Sequence, residues 1–294
     1  MRGRTQAVTA SAVFAVLSLL FPPLSYASGA VIGLATLKHG AREGGVVIAG
    51  SLLLAGAFAF VLAGTPAPAM AFLGVSWLPA WMLAIVLAAT RSQGATLVVA
   101  TGLGVLAVLM LHLVVGDPAT WWRQVMGAFF APALEGSAGT EAAERLGQVL
   151  DVWAPRMTRY FGAATVAGLM LSLLLARWAH AVLDNPGGFG REFRDLAVGR
   201  HALAVALVVG LLSMLLDAGP GMLAADVMGP VSAMLAFQGL AVAHAVVRER
   251  KVWTGWLVVL YLLLVVPPHL ALPLLTLTGL LDGWMNFRAR VRKS

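Results

Sequence analysis

The chain has 294 residues, of which 60% are hydrophobic and only 11% charged, with a mean hydropathy of +0.88 and a net charge of +7. It contains no cysteine, which excludes disulfides, thiolate metal sites and cysteine nucleophiles. The apolar residues stand in long continuous blocks, so the composition predicts an all-α polytopic transmembrane helical bundle and not the alternating strands of a barrel.

The first block, MRGRTQAVTASAVFAVLSLLFPPLSYA, joins Arg2 and Arg4 to an apolar run, Pro22 and Pro23, and the small residues Ser25 and Ala27. These are the parts of a secretory signal peptide, and equally of a membrane hairpin turned by the two prolines. Retention of the segment is the expectation, because the apolar sequence resumes at once in AVIGLATL. In addition, Ala7, Ser11 and Ala15 recur at four-residue spacing and form a small-residue stripe that lets a neighbouring helix approach closely.

Further apolar blocks follow in chain order, and together they predict helices near 7–21, 24–37, 46–64, 69–89, 95–115, 160–183, 201–216, 227–247, 252–266 and 269–285. With an inside N-terminus, the inside segments are MRGR, KHGAREG, TRSQG, Arg177 to Arg200, RERK and RARVRKS. They hold every Lys and Arg except Arg123, Arg145, Arg156 and Arg159. Cytoplasmic loops carry such an excess, so both termini are expected to be cytoplasmic. The basic clusters then read as headgroup anchors on a lipid bilayer; no aromatic-interleaved basic groove accompanies them, so nucleic acid is not an expected partner.

The blocks divide the chain into an N-terminal five-helix membrane half over 1–116, an outer segment over 117–159 and a C-terminal membrane half over 160–294 with a basic tail. The outer segment opens with GDPATWW, where Asp117 can cap a helix that has Pro118 at its first position. A second helix is expected from about Thr140, with Leu146, Leu150, Trp153 and Met157 on one face and Glu144, Arg145, Gln148 and Asp151 on the other. Such a helix rests on the outer leaflet or closes over a cavity. In the inside loop, GGFG matches no nucleotide-binding pattern and reads as a flexible turn. LLFPPLSYASGAVIGL and LVVPPHLALPLLTLTGL share a Pro-Pro turn between short apolar helices, a weak internal likeness.

No HExxH, GxSxG, Walker A or paired-carboxylate spacing is present, so no catalytic residue, metal site or cofactor is expected and the chain does not read as an enzyme. The six histidines come from different segments without ligand spacing, which favours hydrogen bonding at the membrane boundary over metal binding. On the outer side, His112, Asp117, Asp226 and His269 lie near helix ends, together with Asp217, with Trp121 and Trp122 beside them and Trp77 and Trp81 deeper. Two readings apply to this set: an aromatic belt at the interface, or an outward-open pocket whose aromatic walls and few polar groups hold a small ligand. Asp282, in LTGLLDGWMNFRAR, stands close to the last membrane turn, where an unpaired carboxylate is costly. Arg288 or Arg290 can reach back to it, and a structural ion pair of Asp282 with Arg288 is the favoured reading.

SGAVIGLATLKHGAREG and KVWTGWLVVLYLLLVVPPHLALPLLTLTGLLDGWMNFRAR resemble the YybS-like family of uncharacterised bacterial inner-membrane proteins. That family is similar in pattern to the substrate-binding S components of energy-coupling-factor transporters. The resemblance implies a bacterial cytoplasmic (inner) membrane and an S-component-like N-terminal half. It also implies a helix-docking role for Ala7, Ser11 and Ala15 against an energising or other membrane subunit. The function then expected is a small-molecule-binding or transport-related component without its own motor. The alternatives are a scaffold recruiting a partner through its basic loops, or a lipid-handling protein.

Overall fold

The computed structural model describes residues 3–135, 140–216 and 219–293. Among them the protein is all-α, with no strand: α1 (Arg4–Leu17), α2 (Leu24–His39), α3 (Ala41–Ala63), α4 (Ala67–Phe72), a π turn (Leu73–Trp77), α5 (Leu78–Thr90), α6 (Gln93–Val115), α7 (Pro118–Glu135), α8 (Thr140–Asp184), α9 (Gly188–Arg194), α10 (Arg200–Leu215), α11 (Pro220–Glu249), α12 (Gly255–Val265), α13 (Pro268–Met285) and α14 (Phe287–Lys293). Among the described residues five stretches are long and apolar enough to cross a membrane: Ala41–Ala63, Ala67–Thr90, Gln93–Val115, Ala143–Asp184 and Gly221–Glu249. A sixth arises if α12 and α13, bent by 117° at their junction, count as one broken span. The chain is therefore a multi-pass membrane protein.

The residues form two compact units, one from 1–100, 167–200 and 234–294, the other from 101–166 and 201–233. These units do not follow the halves expected from the order of the blocks, because α6, α8 and α11 each contribute to both. The long α8 also replaces the separate outer helix expected from Thr140: the amphipathic stretch runs without a break into the apolar one. Pro155 lies inside it, where its missing amide leaves the Asp151 carbonyl without its intrahelical donor and its ring crowds that carbonyl, yet the helix continues.

In the first unit, α1, α2, α3 and the π turn pack around small residues. Ala7, Ala12, Ala15, Ala35 and Ala55 are buried with Ile32, Val47 and Trp77. Without a hydrophobic difference between lipid tails and side chains, such a contact is held by close packing and hydroxyl hydrogen bonds. Ser28 Oγ donates to the Ser11 carbonyl at 2.8 Å and accepts from Trp77 Nε1 at 2.9 Å, tying α1, α2 and the π turn together. The π turn gives the extra rotation that brings the Trp77 indole inside.

Elsewhere in this unit two glycines set the closest approach. A Cβ at Gly279 of α13 would overlap the Leu235 carbonyl oxygen of α11, and one at Gly239 of α11 would overlap the Leu275 carbonyl oxygen of α13. Buried Gln238 completes the joint: its Nε2 donates to the Gly279 carbonyl at 2.7 Å, and its Oε1 accepts from the Val198 amide at 2.7 Å. The segment leading into α10 is thus fastened to the α11–α13 pair.

Candidate functional site

Residues expected at an outer pocket divide between the two units. In the second unit, His112 Nε2 lies 2.9 Å from Asp226 Oδ2, and Asp226 is buried. Arg159 Nε donates to the adjacent Ala225 carbonyl at 2.7 Å. Trp121 and Trp122 meet edge to face at 4.7 Å, and Trp122 Nε1 donates to Thr158 Oγ1 at 3.1 Å. Asp117 caps α7, accepting from the Ala119 amide at 3.1 Å and from the Thr120 amide and hydroxyl. The Thr120 hydroxyl and then its amide hold the Asp117 carboxyl below the usual carboxylate range. Asp217 lies outside the described residues.

Trp77, Trp81 and His269 belong to the first unit. Trp77 is a core pin without exposure, and Trp81 Nε1 donates to the Ala41 carbonyl at 2.9 Å, so both indoles are committed to helix packing. His269 is exposed on the first turn of α13. Ala7, Ser11 and Ala15 are buried against α2 and α3 of the same chain. Here the close approach that small residues allow is used by the chain's own helices.

Asp282 and Arg288 meet through a sharp reversal. Asn286 takes a left-handed backbone, φ 47°, ends α13 and turns α14 back. Arg288 Nη2 then donates to the buried Asp282 Oδ2 at 2.6 Å, and Nη1 donates to the Leu196 carbonyl at 2.7 Å and the Arg194 carbonyl at 3.2 Å. One guanidinium therefore joins α13, α14 and the end of α9.

That frame positions a cavity of about 970 Å³ between α8, α9, α11 and α12, entirely within the first unit. Its walls include Leu171, Phe193, Phe237, Leu240 and Leu257. On one wall His244 Nδ1 lies 2.9 Å from the Leu240 carbonyl, which only accepts, so Nδ1 carries the proton. In the neutral form of the ring Nε2 keeps a lone pair, and the Tyr261 hydroxyl lies 3.2 Å from it, in place to donate. The Phe193 ring stands edge on to His244 at 5.3 Å, and Phe189 stacks on Phe193 at 6.2 Å.

Arg194, Arg248 and Lys251 line the same cavity, with Glu249 as its acid. Among the described residues none of these three cations has a carboxylate in ion-pair range, unlike Arg177, which grips Glu192. α12 closes one side with Leu257 and Tyr261; none of its residues is buried, and most of its other apolar side chains are exposed. The arrangement is an aromatic, apolar chamber with a cationic mouth and an apolar flank.

None of the residues expected at the outer pocket lines this chamber. Sequence reasoning assigned RERK to topology and passed over Phe193 and Tyr261. The signals available were two aromatics in GGFGREF, beside arginines, and a lone tyrosine in the apolar run WLVVLYLLLV. Among the described residues no three His, Asp or Glu side chains converge as a metal site would require. No protein-family model, curated protein or solved structure matches the chain.

Proposed function

We propose that this chain is a membrane protein that binds an amphipathic anion, a lipid or lipid-like molecule with an acidic headgroup, in the chamber between α8, α9, α11 and α12. The observation that carries the reading is the set of three cations, Arg194, Arg248 and Lys251, with no carboxylate in ion-pair range among the described residues, lining an aromatic cavity of about 970 Å³ that holds one acid, Glu249. Cations near a headgroup contribute about 1 kcal/mol each, and an apolar chamber of this size accommodates the upper part of a tail. The outward apolar surface of α12 supports entry from the bilayer and not from water.

The charge distribution supports cytoplasmic termini, and in that orientation the basic lining of the chamber belongs to the cytoplasmic leaflet. With no nucleotide-binding motif in the sequence, any net movement of the ligand depends on a partner subunit or on an existing gradient. Lipid handling is thus the form in which the small-molecule-binding reading is best supported.

Native mass spectrometry of the full-length protein, titrated with dioleoyl phosphatidylglycerol and dioleoyl phosphatidylcholine, tests this. The expected result is preferential retention of phosphatidylglycerol by about 10-fold or more, falling about 5-fold for each of Arg194→Gln, Arg248→Gln and Lys251→Gln, as about 1 kcal/mol per cation requires. Equal retention of both lipids by the unaltered protein overturns the proposal.

A further inference from the structure

The chamber between α8, α9, α11 and α12 holds more positive charge than one phosphodiester headgroup neutralises. Its lining has three cations, Arg194, Arg248 and Lys251, and one carboxylate, Glu249, which is itself partnered. Three positive charges less one negative leave a surplus of two, and a phosphodiester brings a single negative charge. Beside the apolar walls of Phe193, Phe237, Leu240 and Leu257, water screens that surplus less than it does in bulk.

Lys251 stands where the backbone favours a different residue. It takes the left-handed conformation, φ 52°, just beyond the end of α11. The Val252 amide donates to the Val247 carbonyl at 3.1 Å and the Lys251 amide to the Arg248 carbonyl at 3.4 Å, the pair of bonds that closes a helix around a left-handed residue, most often glycine. A side chain at that position crowds its own backbone, which glycine avoids. Such strain gathers at sites that bind, and what the lysine adds here is an ammonium group at the chamber lining. Arg194 reaches the same lining from α9. Its Nη1 stands 3.2 Å from the position of a notional Cβ on Gly190, so the glycine leaves room for the guanidinium to fold back along the helix.

We infer that the chamber selects a lipid whose headgroup carries two negative charges, as a phosphomonoester does, and that Lys251 supplies a selecting charge; this rests on the lipid-binding reading above. A dianion meets each cation with twice the charge of a monoanion, so losing one cation costs it the square of the factor that a monoanion loses. A phosphomonoester also gives up its second charge as pH falls through about 6. The other titratable groups facing the chamber are His244 on α11 and Tyr261 on α12, and α8 brings only Leu171 and Leu174. His244 and Glu249 can only gain protons as pH falls, which favours every anion, so a falling preference comes from the headgroup.

Native mass spectrometry of the full-length protein with dioleoyl phosphatidic acid and dioleoyl phosphatidylglycerol, which share their tails, tests the inference. At about pH 8 phosphatidic acid is expected to be retained at least about 5-fold more tightly than phosphatidylglycerol, and at about pH 5 the two are expected to be retained alike. Lys251→Gly removes the ammonium and relieves the left-handed backbone, so the thermal midpoint is expected to stay unchanged or rise. The same variant is expected to weaken phosphatidylglycerol about 5-fold and phosphatidic acid about 25-fold at about pH 8. If Lys251→Gly fails to fold, Arg248→Gln carries the same comparison. Glycerol 3-phosphate, the headgroup without its tails, is expected not to displace phosphatidic acid; displacement at equal concentration makes the ligand a soluble phosphomonoester and overturns the lipid. Equal retention of the two lipids at about pH 8, a preference that persists at about pH 5, or the same loss for both lipids in the variant overturns the inference. Phosphatidylglycerol retained above phosphatidylcholine alongside any of these three results leaves the lipid-binding reading standing, whereas equal retention of all three lipids overturns both.

Discussion

Arg288 makes three contacts at once, to the Asp282 carboxylate and to two carbonyls, and the Asp282 side chain is only 1% exposed. Removing one partner of such a pair leaves an uncompensated charge, which is worse than removing both. Arg288→Met is therefore expected to cost about 3–5 kcal/mol, and Asp282→Leu combined with Arg288→Met is expected to recover a substantial part of that loss. Thermal unfolding in detergent of the single and double variants measures this, and a double variant no more stable than Arg288→Met alone refutes it. The pair was legible in the sequence because the two residues stand six apart near a membrane end. The carbonyls of Arg194 and Leu196 were not, since a contact across more than ninety positions leaves no local pattern. The burial of Gln93 at the start of α6 was equally invisible, since a glutamine at a helix start is unremarkable in the sequence.

At the scale of elements, α11 and α13 approach so closely that their glycines face each other's carbonyls. Gly279→Ala forces the helices apart and disturbs the Gln238 bond to the Gly279 carbonyl. Overpacking of this kind costs about 1–3 kcal/mol. Gly102 of α6 has nothing within 4 Å of a notional Cβ, and Gly102→Ala is expected to be neutral or stabilising by up to about 1 kcal/mol, since alanine loses less backbone freedom in a helix. Comparing the two thermal midpoints checks the assignment; an equal response would show that the packing at Gly279 is not limiting. The small-residue stripe on α1 teaches a related lesson. Its presence was readable from spacing, but spacing does not say which helix it receives, and here α2 and α3 fill it.

For the whole molecule, the proposed orientation puts the basic lining of the lipid chamber on the cytoplasmic side. The absence of cysteine from the sequence makes single-cysteine labelling direct. In sealed right-side-out vesicles an impermeant maleimide is expected to label Glu144→Cys, and to label Thr254→Cys only after the membrane is opened; both side chains are exposed. The opposite pattern reverses the orientation and removes the chamber from the cytoplasmic leaflet. Class and approximate helix positions were legible because a bilayer demands long apolar runs whatever the fold. Less legible were continuity and breaks. The amphipathic stretch after Thr140 joined the next apolar run into a helix of 45 residues, while the block near 69–89 was interrupted by a π turn.

The sequence by itself determined that this is a helical, multi-pass membrane protein, because hydrophobic length is a local quantity summed along the chain. Only the tertiary structure decided that Arg194, Arg248 and Lys251 line one aromatic chamber beside Glu249, with no carboxylate in ion-pair range of the three among the described residues, and that Gln93 is buried with its amide idle. Both depend on which distant segments meet. In lipid, that is settled by small-residue contacts and single hydrogen bonds, whose partners the chain order does not reveal.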